Sequence, residues 1–448
     1  MDEPKVVRKD SVAQLPEERI DWFVEPIARF VQVETAAGVV LLLFTVIALI
    51  LANSPLSDVF RNLWHLSVGI NIGTIVFERS LHSWINDAVM TLFFFLIALE
   101  LKRELVLGEL REPRLAMLSV SAAVGGMLVP ALIYLAFQYQ EPGQNGWGTV
   151  MATDTAFVIG CLALLGKRIP KSLRVFMLSL AVVDDIGAII VVAIGYGSDL
   201  NWLFIGLALL GFLSVKTMAF LGVRNISLFF IAGGLIWLAV DASGIHPTIT
   251  GVILGLMTPT KQWVSDDRFH TIIDSVVDNT SFDPSGDQAL DPEVLKTTEA
   301  AAREVLSPVE RLEIALHPWV GFVVMPLFAF ANAGISFAGA DFESSLTLAV
   351  VISFVMGKPV GVFLFSWLAV KLHLAVTPVD LSWRMILGGG MLAGIGFTMA
   401  LFIANLAYSP DQINAVKLGI LSATMLSALS GLLLLRFWVV DSTAASQY

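Results

Sequence analysis

Long apolar runs separated by short polar connections dominate the chain and predict a bundle of membrane-spanning helices. A straight helix needs about 20 predominantly apolar residues to cross the hydrocarbon core of a bilayer. About twelve runs approach or meet this length, at 34–53, 84–105, 116–137, 149–166, 173–196, 202–221, 226–240, 247–257, 315–333, 346–370, 384–406 and 413–438. The seventh and eighth runs are shorter than a straight span requires, so each is also a candidate for a re-entrant segment.

Basic residues mark alternate connections between these runs. Four connections, at 138–148, 197–201, 241–246 and 334–345, contain no Lys or Arg, whereas the connections between them do. Because Lys and Arg accumulate in the cytoplasmic connections of membrane proteins, the alternation predicts that both short segments cross the bilayer. Both chain termini are then expected in the cytoplasm.

Hydrophilic segments flank and interrupt the predicted spans. Residues 1–33 are mixed in charge and include a weakly amphipathic stretch at 20–32, which favours a helix in the membrane interface. We expect helices 1–8 within 34–262, an acidic cytoplasmic insert at 263–310, helices 9–12 within 311–438 and a cytoplasmic tail at 439–448.

The outer connection at 62–80 has a different pattern from the others. It alternates small or polar residues with β-branched ones around Gly69 and Gly73, which predicts a β-hairpin. A lone hairpin leaves unpaired strand edges, so pairing with a second copy across a dimer axis would stabilise it. The alternative is a hairpin packed on its own subunit.

Composition agrees with a polytopic, all-α membrane protein. Of 448 residues, 56% are hydrophobic and 15% are charged, against about a quarter charged in a typical soluble domain. The formal net charge of −11 comes mostly from the acidic insert, and no basic patch for nucleic acid is present. The single cysteine, Cys161, excludes an internal disulfide.

The pair Asp184-Asp185 is the strongest functional signal in the chain. It lies inside an apolar run, and one carboxylate at bilayer depth costs about 2.5 to 3.5 kcal/mol on insertion scales. Such a pair is expected to face water or a cation, so it predicts an ion or proton site. The alternative is a pair at a helix end in the membrane interface.

Two other spans have interruptions. The fourth contains Thr153 and Asp154 in MATDTAFVIG, and the eleventh contains GGGMLAGIGFTMA. Glycines, polar side chains and a charge in two spans far apart in the sequence predict discontinuous, crossing helices from two inverted repeats. The alternative for the glycine-rich span alone is close helix packing. Lys358, in the middle of the tenth span, is expected to pair with Asp184 or Asp185.

Together these segments resemble the NhaA-type sodium/proton antiporter family of bacterial inner membranes. The resemblance rests on LAVVDDIGAII, ATDTAFVIG, GKPVG, LHPWV followed by PLFAFANAG, AGIGFTMALFIA and ALELKREL, and extends from residue 34 to about residue 438. It implies that Asp184 and Asp185 bind the ion, that Asp154 and Thr153 belong to the helix crossing, and that Lys358 is the partner lysine. Because sodium takes oxygen ligands, the Thr153 hydroxyl is a further candidate ligand. It also implies a homodimer held partly by an outer hairpin.

Candidates for pH response are less sharply defined. The resemblance places Glu100, Arg103 and Glu104 near the cytoplasmic funnel, although their spacing also fits ion pairs on a helix surface. His246, Glu313 and His317 are further candidates, and the alternative for each histidine is a structural role. The family's familiar Lys-Arg-Leu-Glu-His stretch has Glu310 in place of its lysine and Ile314 in place of its histidine here, so a shifted pH midpoint is expected.

The expected function is therefore electrogenic, pH-regulated exchange of cytoplasmic sodium or lithium for external protons, serving sodium and pH homeostasis. No cofactor is expected, and the segment Gly160 to Lys167 lacks the spacing of a P-loop, so an ion gradient would supply the energy. Three alternatives are an intramembrane aspartyl protease, whose GxGD signature is absent, a sodium-coupled symporter of the bile-acid type, and a passive channel.

Overall fold

A computed structural model describes residues 34–72, 75–106, 108, 113–166, 169–196, 200–223, 225–262, 271, 305–337 and 344–438. These residues are mostly helical. The elements in chain order are α1 (Glu34–Ala52), α2 (Ser57–Trp64), β1 (Ser67–Ile72), β2 (Ile75–Ser80), α3 (Leu81–Val106), α4 (Pro113–Phe137), the 3-10 helix Gln144–Val150, α5 (Thr155–Leu164), α6 (Lys171–Gly195), α7 (Trp202–Phe220), α8 (Ile226–Ala242), α9 (Ile249–Met257), α10 (Pro308–Asn332), α11 (Ser345–Lys371), α12 (Trp383–Ala393), α13 (Phe397–Ala407) and α14 (Ile413–Trp438). The predicted interfacial helix at 20–32 and most of the acidic insert lie outside the described residues.

Each of the predicted apolar runs contains a helix, which confirms the membrane class. Among the described helices, eight are long and apolar enough to cross a membrane, or up to ten if each of two bent pairs is one span. The predicted number of about twelve is not confirmed. The reason is that α8 has 17 residues and α9 has 9, so both are shorter than a straight span.

Helix α7 illustrates how these helices meet the bilayer. Only 11% of its most apolar stretch is buried inside the protein. Leu209, Leu210 and Phe220 are 63%, 63% and 90% exposed. Large apolar side chains on the outer face of a helix are stable there when lipid covers them.

Helix α10 begins earlier than the sequence pattern suggested, at Pro308 instead of residue 315. Ser307 forms a capping box with Glu310, in which the Glu310 carboxylate accepts from Ser307 N at 3.0 Å and the Ser307 hydroxyl accepts from Glu310 N at 3.3 Å. Pro308 occupies the first turn, where its missing N–H costs nothing. The capping residues therefore start α10 about two turns before the apolar run from which the helix was predicted.

The predicted hairpin is present but shorter than expected. Strands β1 and β2 are antiparallel, with Ser67 opposite Ser80 and Ile72 opposite Ile75. Residues 62–64 belong to the end of α2 instead. The indole N–H of Trp84 donates to Val68 O at 2.8 Å, which ties the hairpin to α3 of its own subunit.

The helices form two packed groups that meet along a shared surface. The first group, here called the site bundle, comprises α4, the 3-10 helix with α5, α6, α11, α12, α13 and α14. The second, called the scaffold bundle, comprises α1, α3, α8, α9 and α10, with α7 packed on α8. Helix α13 is the most enclosed element, since all of Phe397–Ala404 is buried. The two bundles meet where α1 touches α5, α3 touches α6 and α10 touches α13.

Candidate ion-binding site

The fourth predicted span is interrupted, as its polar residues suggested. The 3-10 helix ends at Val150 and α5 begins at Thr155, with irregular backbone between them. Asp154 is the N-cap of α5, and its carboxylate accepts from Phe157 N at 3.3 Å. The first N–H groups of a helix have no partner within it, so a capping carboxylate satisfies one and favours a helix start there.

The eleventh predicted span is interrupted too, and the two breaks cross. Helices α12 and α13 are bent by 46° around Gly394–Gly396. Asp154 N donates to Ile395 O at 2.6 Å, which joins the two breaks through the backbone. One interruption falls in each half of the chain, which confirms the predicted fold with two broken crossing helices.

Asp154 also connects the starts of two half-helices. Its Oδ2 accepts from Thr398 N at 2.9 Å and from the Thr398 hydroxyl at 2.5 Å, in addition to its role at α5. A helix N-terminus carries partial positive charge, so one carboxylate between two such ends is electrostatically favoured in a dry interior. Asp154 is therefore already engaged by the protein itself.

Glycine is required where the breaks approach most closely. A Cβ on Gly396 would lie 2.8 Å from Ala152 O and 2.5 Å from the Phe354 ring. We expect Gly396→Ala to lower thermal stability, since overpacking costs about 1 to 3 kcal/mol. Gly160→Ala, in α5 where nothing lies within 4 Å of the added Cβ, is the matched control. Equal unfolding temperatures for the two variants would contradict this account.

Lys358 reaches the crossing from α11. A π-helical turn, Ser353–Gly357, comes immediately before it, and the side chain is fully buried. Its Nζ donates to Asp184 Oδ2 at 2.5 Å, to the Thr153 hydroxyl at 2.8 Å and, at short range, to Met151 O. The predicted pairing of this lysine with a carboxylate is thus present, and Asp184 is the partner. All three ammonium hydrogens have acceptors.

The two adjacent aspartates have different surroundings. Asp184 Oδ2 receives both Lys358 and the Thr153 hydroxyl, which lies 2.5 Å away. Asp184 Oδ1 is buried with no hydrogen-bond partner in the described structure. Asp185 is 6% exposed and accepts no hydrogen bond from any described residue. Residues one apart on a helix point about 100° apart, so only Asp184 faces the lysine.

This arrangement leaves carboxylate oxygens available for a ligand. Buried polar atoms are nearly always satisfied, so Asp184 Oδ1 calls for a partner from outside the protein. The Asp185 carboxylate, which is 6% exposed, accepts no hydrogen bond from any described residue and is open to the same partner. Hard cations take oxygen ligands, and protons bind the same carboxylates. Thr153 is less available, because its oxygen accepts from Lys358 Nζ and its single proton has two acceptors in reach, Asp184 Oδ2 and, at 2.9 Å, Ala393 O. The site chemistry therefore fits a small cation or a proton.

The pH-response candidates fall into two places. Arg103 on α3 forms a close ion pair with Glu313 on α10 and lies 3.6 Å from Glu104. Glu100, on the same helix, is near enough to Asp185 to act on it electrostatically. His317 is exposed on α10. The pair of Arg103 and Glu313 joins α3 to α10 within the scaffold bundle.

His246 lies elsewhere, near the hairpin. Its Nε2 is 3.8 Å from Asp87, its Nδ1 is 2.8 Å from the Thr248 hydroxyl, and its ring packs edge-on against Phe402. Burial, with a smaller contribution from the charge of Arg79, lowers the pKa of His246 to about 4. This separation agrees with the charge pattern, because His246 ends a connection without Lys or Arg whereas Glu104 precedes a basic connection.

Several site residues were not anticipated from the sequence. Thr398 holds Asp154, and its position directly after the GIGF turn is a signal that could have identified it. Met151 contributes only a backbone carbonyl, which no side-chain pattern reveals. Arg79 bridges Asp87 and Asp241, and this contact depends on three distant segments meeting.

Comparisons with known proteins agree with this geometry. The family described as "Na+/H+ antiporter 1" matches residues 28–435. The Na(+)/H(+) antiporter NhaA 2 of Vibrio vulnificus (strain CMCP6) is 63% identical over 429 residues, 96% of each chain. The Na(+)/H(+) antiporter NhaA of Rhizobium meliloti (strain 1021) is 55% identical over 95% of this chain and 98% of its own. The Na(+)/H(+) antiporter NhaA of Rhodopirellula baltica (strain DSM 10527 / NCIMB 13988 / SH1) is 47% identical over 96% and 98%.

A multi-pass membrane protein whose buried charges lie where two broken helices cross has the architecture of secondary transporters. The sequence is similar to those of the three antiporters above over nearly the whole chain. The chain belongs to the Na+/H+ antiporter 1 family.

Proposed function

We propose that this protein exchanges cytoplasmic sodium, or lithium, for external protons. The observation that carries the proposal is the carboxylate pair at the helix crossing, in which Asp184 is held by Lys358 while Asp185 has no protein partner among the described residues. Sodium and protons bind the same oxygens, so each excludes the other. Asp184, Asp185 and Thr153 are the proposed sodium ligands.

Competition becomes exchange when the site opens to one side of the membrane at a time. At the cytoplasmic side, sodium binds the carboxylates and displaces protons. At the outer side, where protons are more abundant in a respiring cell, protonation releases sodium. Rigid-body movement of one helix bundle against the other around a fixed site is the usual way to alternate access in such folds.

Lys358 gives the cycle a basis for net charge movement. Sodium bound at Asp184 displaces Lys358 from that carboxylate, so the buried ammonium loses one proton to the solvent while Asp185 loses another. More than one proton released for each sodium makes the exchange electrogenic. The test is whether an imposed membrane potential changes the exchange rate in proteoliposomes, and an unchanged rate would contradict it.

The main experiment is a pH-dequenching assay in inverted membrane vesicles, with sodium, lithium and potassium added in turn. Saturable proton movement driven by sodium or lithium supports the proposal. A requirement for an organic solute would indicate a symporter instead, and non-saturating flux would indicate a channel. Absence of any cation-driven proton movement would overturn the proposed function.

The proposed setting is a bacterial inner membrane, with both termini in the cytoplasm, and the proposed assembly is a homodimer. The positive connections support this orientation, which places the hairpin outside. Two strands leave both edges of the sheet unpaired within the described residues, and a second copy would cover one of them. Cross-linking in native membranes before and after hairpin deletion tests the dimer.

His246 is proposed to act on stability at acid pH and not on activation at alkaline pH. Its pKa of about 4 lies below the ordinary value of 6.5, so the folded protein holds it neutral while the unfolded chain binds a proton. Stability is therefore lost as pH falls from about 6.5 towards 4. We expect His246→Gln to reduce this loss, measured as the difference in unfolding temperature between pH 7.5 and pH 5, without moving the alkaline activity midpoint. A moved midpoint would contradict this assignment.

A further inference from the structure

A second polar contact joins the two bundles near the hairpin, away from the ion site. Asn405 on α13 donates to Asn332 Oδ1 on α10 at 2.7 Å. Asn332 is fully buried and also donates to Asn86 Oδ1 at 2.9 Å, while His82 Nε2 lies 3.0 Å from its Oδ1. We call these four residues the Asn332 cluster. Three of them belong to the scaffold bundle, and only Asn405 belongs to the site bundle.

One half-helix, α13, connects the Asn332 cluster to the helix crossing. Thr398, at the start of α13, binds Asp154. Asn405 follows on the same helix, roughly 10 Å further along at 1.5 Å per residue. Any displacement of the helix crossing towards or away from the scaffold bundle therefore acts directly on the bond between Asn405 and Asn332.

An aromatic contact lies beneath the polar one. Phe402 is 1% exposed and lies between Thr398 and Asn405 along α13. Its ring centroid is 5.2 Å from that of Phe94 on α3 and 6.3 Å from that of Phe328 on α10. Phe402 and Asn405 are three residues apart, so they face the same side of the helix. Both insert into the scaffold bundle and close the space between the site and the hairpin.

The same surface contains room for movement. A cavity of about 200 Å³ adjoins the contact and is lined by α3 on one side and α13 on the other. Its wall includes polar side chains of both helices, among them Asn86, Asp87 and Asn405. Separation of the bundles here would widen a space that is already polar, which suits a passage for hydrated ions.

We propose that Asn405, bonded to Asn332 above the Phe402 contact, is the gate on the hairpin side of the site. The bond holds the site closed to that side and must break each time the site opens to it. The proposal rests on the proposed exchange function, because only alternating access requires this opening. Asn405 acts by holding α13 and does not touch the transported ion.

Cross-linking tests whether the contact must open. In a Cys161→Ser background, Asn332→Cys with Asn405→Cys places two thiols across the gate, and Hg²⁺ can bridge them. The matched control is Ser80→Cys with Ser83→Cys, whose hydroxyls lie 2.9 Å apart where β2 meets α3, on one side of the proposed gate. We expect Hg²⁺ to stop sodium/proton exchange in the gate pair, with recovery on adding excess thiol, and to leave the control pair active.

Continued exchange by a gate pair that is fully bridged would overturn the proposal. Absence of exchange in the unmodified protein would instead overturn the proposed function, so the two failures are distinguishable. If the cysteine pair itself prevents folding, a second measurement decides. Spin labels are attached at Val59→Cys on α2 and at Ser409→Cys just after α13, both exposed positions. Because α2 packs on α10 of the scaffold bundle, the distance between the labels reports the separation of the two bundles.

In this measurement, Asn405→Ala should raise the ratio of molecules with a long distance between the labels to molecules with a short one. One hydrogen bond changes an equilibrium constant by roughly two- to tenfold, which is the expected change in that ratio. Asn53→Ala is the control, because Asn53 donates to Ile335 O at 2.8 Å within the scaffold bundle. An unchanged ratio in Asn405→Ala, or the same change in both variants, would overturn the proposal.

Discussion

Asp185→Asn is expected to abolish sodium-driven proton movement and to leave the protein folded and inserted. Asparagine keeps the shape of the side chain but neither titrates nor carries the charge that attracts a cation. Asp185 accepts no hydrogen bond from any described residue, so its replacement breaks no contact that holds the described fold. We therefore expect exchange at the level of vesicles that lack the protein, with an unfolding temperature close to that of the original.

The control is Asp58→Asn, which removes a carboxylate from an exposed ion pair with Arg61 near the hairpin. Surface ion pairs contribute little, so this variant should exchange normally. Both variants are assayed by pH dequenching in inverted vesicles at matched protein amounts. Near-normal exchange by Asp185→Asn would remove Asp185 from the ion site.

A second consequence concerns how Asp185 differs from Asp184. A cation at Asp185 meets one free carboxylate, whereas at Asp184 it must compete with Lys358, which is 2.5 Å away. Asp184→Asn should weaken sodium binding and also leave the lysine without its counter-charge. Loss of function at Asp184 therefore mixes two causes, and Asp185 is the cleaner test of the site.

Most of the fold was predictable because a membrane restricts what the chain can do. In a bilayer every backbone polar group must be satisfied within the protein, so an apolar run of sufficient length is a helix. The two breaks were predictable because Asp154 and the glycines near Gly396 are unfavourable in a straight lipid-facing helix. The start of α10 at Pro308 was not, since it depends on a local capping box formed by Ser307 and Glu310.

The capping box gives a structural role to Glu310, the residue found in place of the family's lysine. The resemblance to the NhaA-type family suggested a lost basic sensor at this position and hence a shifted pH midpoint. In the structure the Glu310 carboxylate accepts hydrogen bonds from both the backbone and the hydroxyl of Ser307. Glu310→Lys would remove the cap as well as reverse the charge. The pH dependence of that variant would therefore not report on sensing alone.

The residues of the ion site were predictable from the sequence, but the contacts between them were not. Charged residues at membrane depth are costly enough to identify Asp154, Asp184, Asp185 and Lys358 individually. Their pairing is a property of tertiary contacts, and sequence left either aspartate as the partner of Lys358. The Asn332 cluster was not anticipated at all, because single asparagines and a histidine near helix ends are common and carry no pattern.

Lys358→Ala is expected to cause a large loss of stability, and Asp184→Asn is expected to recover part of it. Removing one member of a buried ion pair costs about 3 to 5 kcal/mol, because the other charge is left buried and uncompensated. Here the loss includes the bonds from Lys358 to the Thr153 hydroxyl and Met151 O. Neutralising Asp184 removes the uncompensated charge but does not restore those two bonds, so recovery is partial.

The measurement is a double-mutant cycle on unfolding temperature in detergent, with the original, the two single variants and the double variant. Contacting residues couple by about 0.5 to 3 kcal/mol, so the double variant should be more stable than the sum of the single losses predicts. Lys358→Ala with Asp185→Asn is the matched control, since Asp185 is adjacent in sequence but accepts no bond from the lysine. A larger recovery with Asp184→Asn than with Asp185→Asn identifies Asp184 as the partner. Additive losses in both cycles would mean that Lys358 is not paired in the membrane, and would require another counter-charge for the transport cycle.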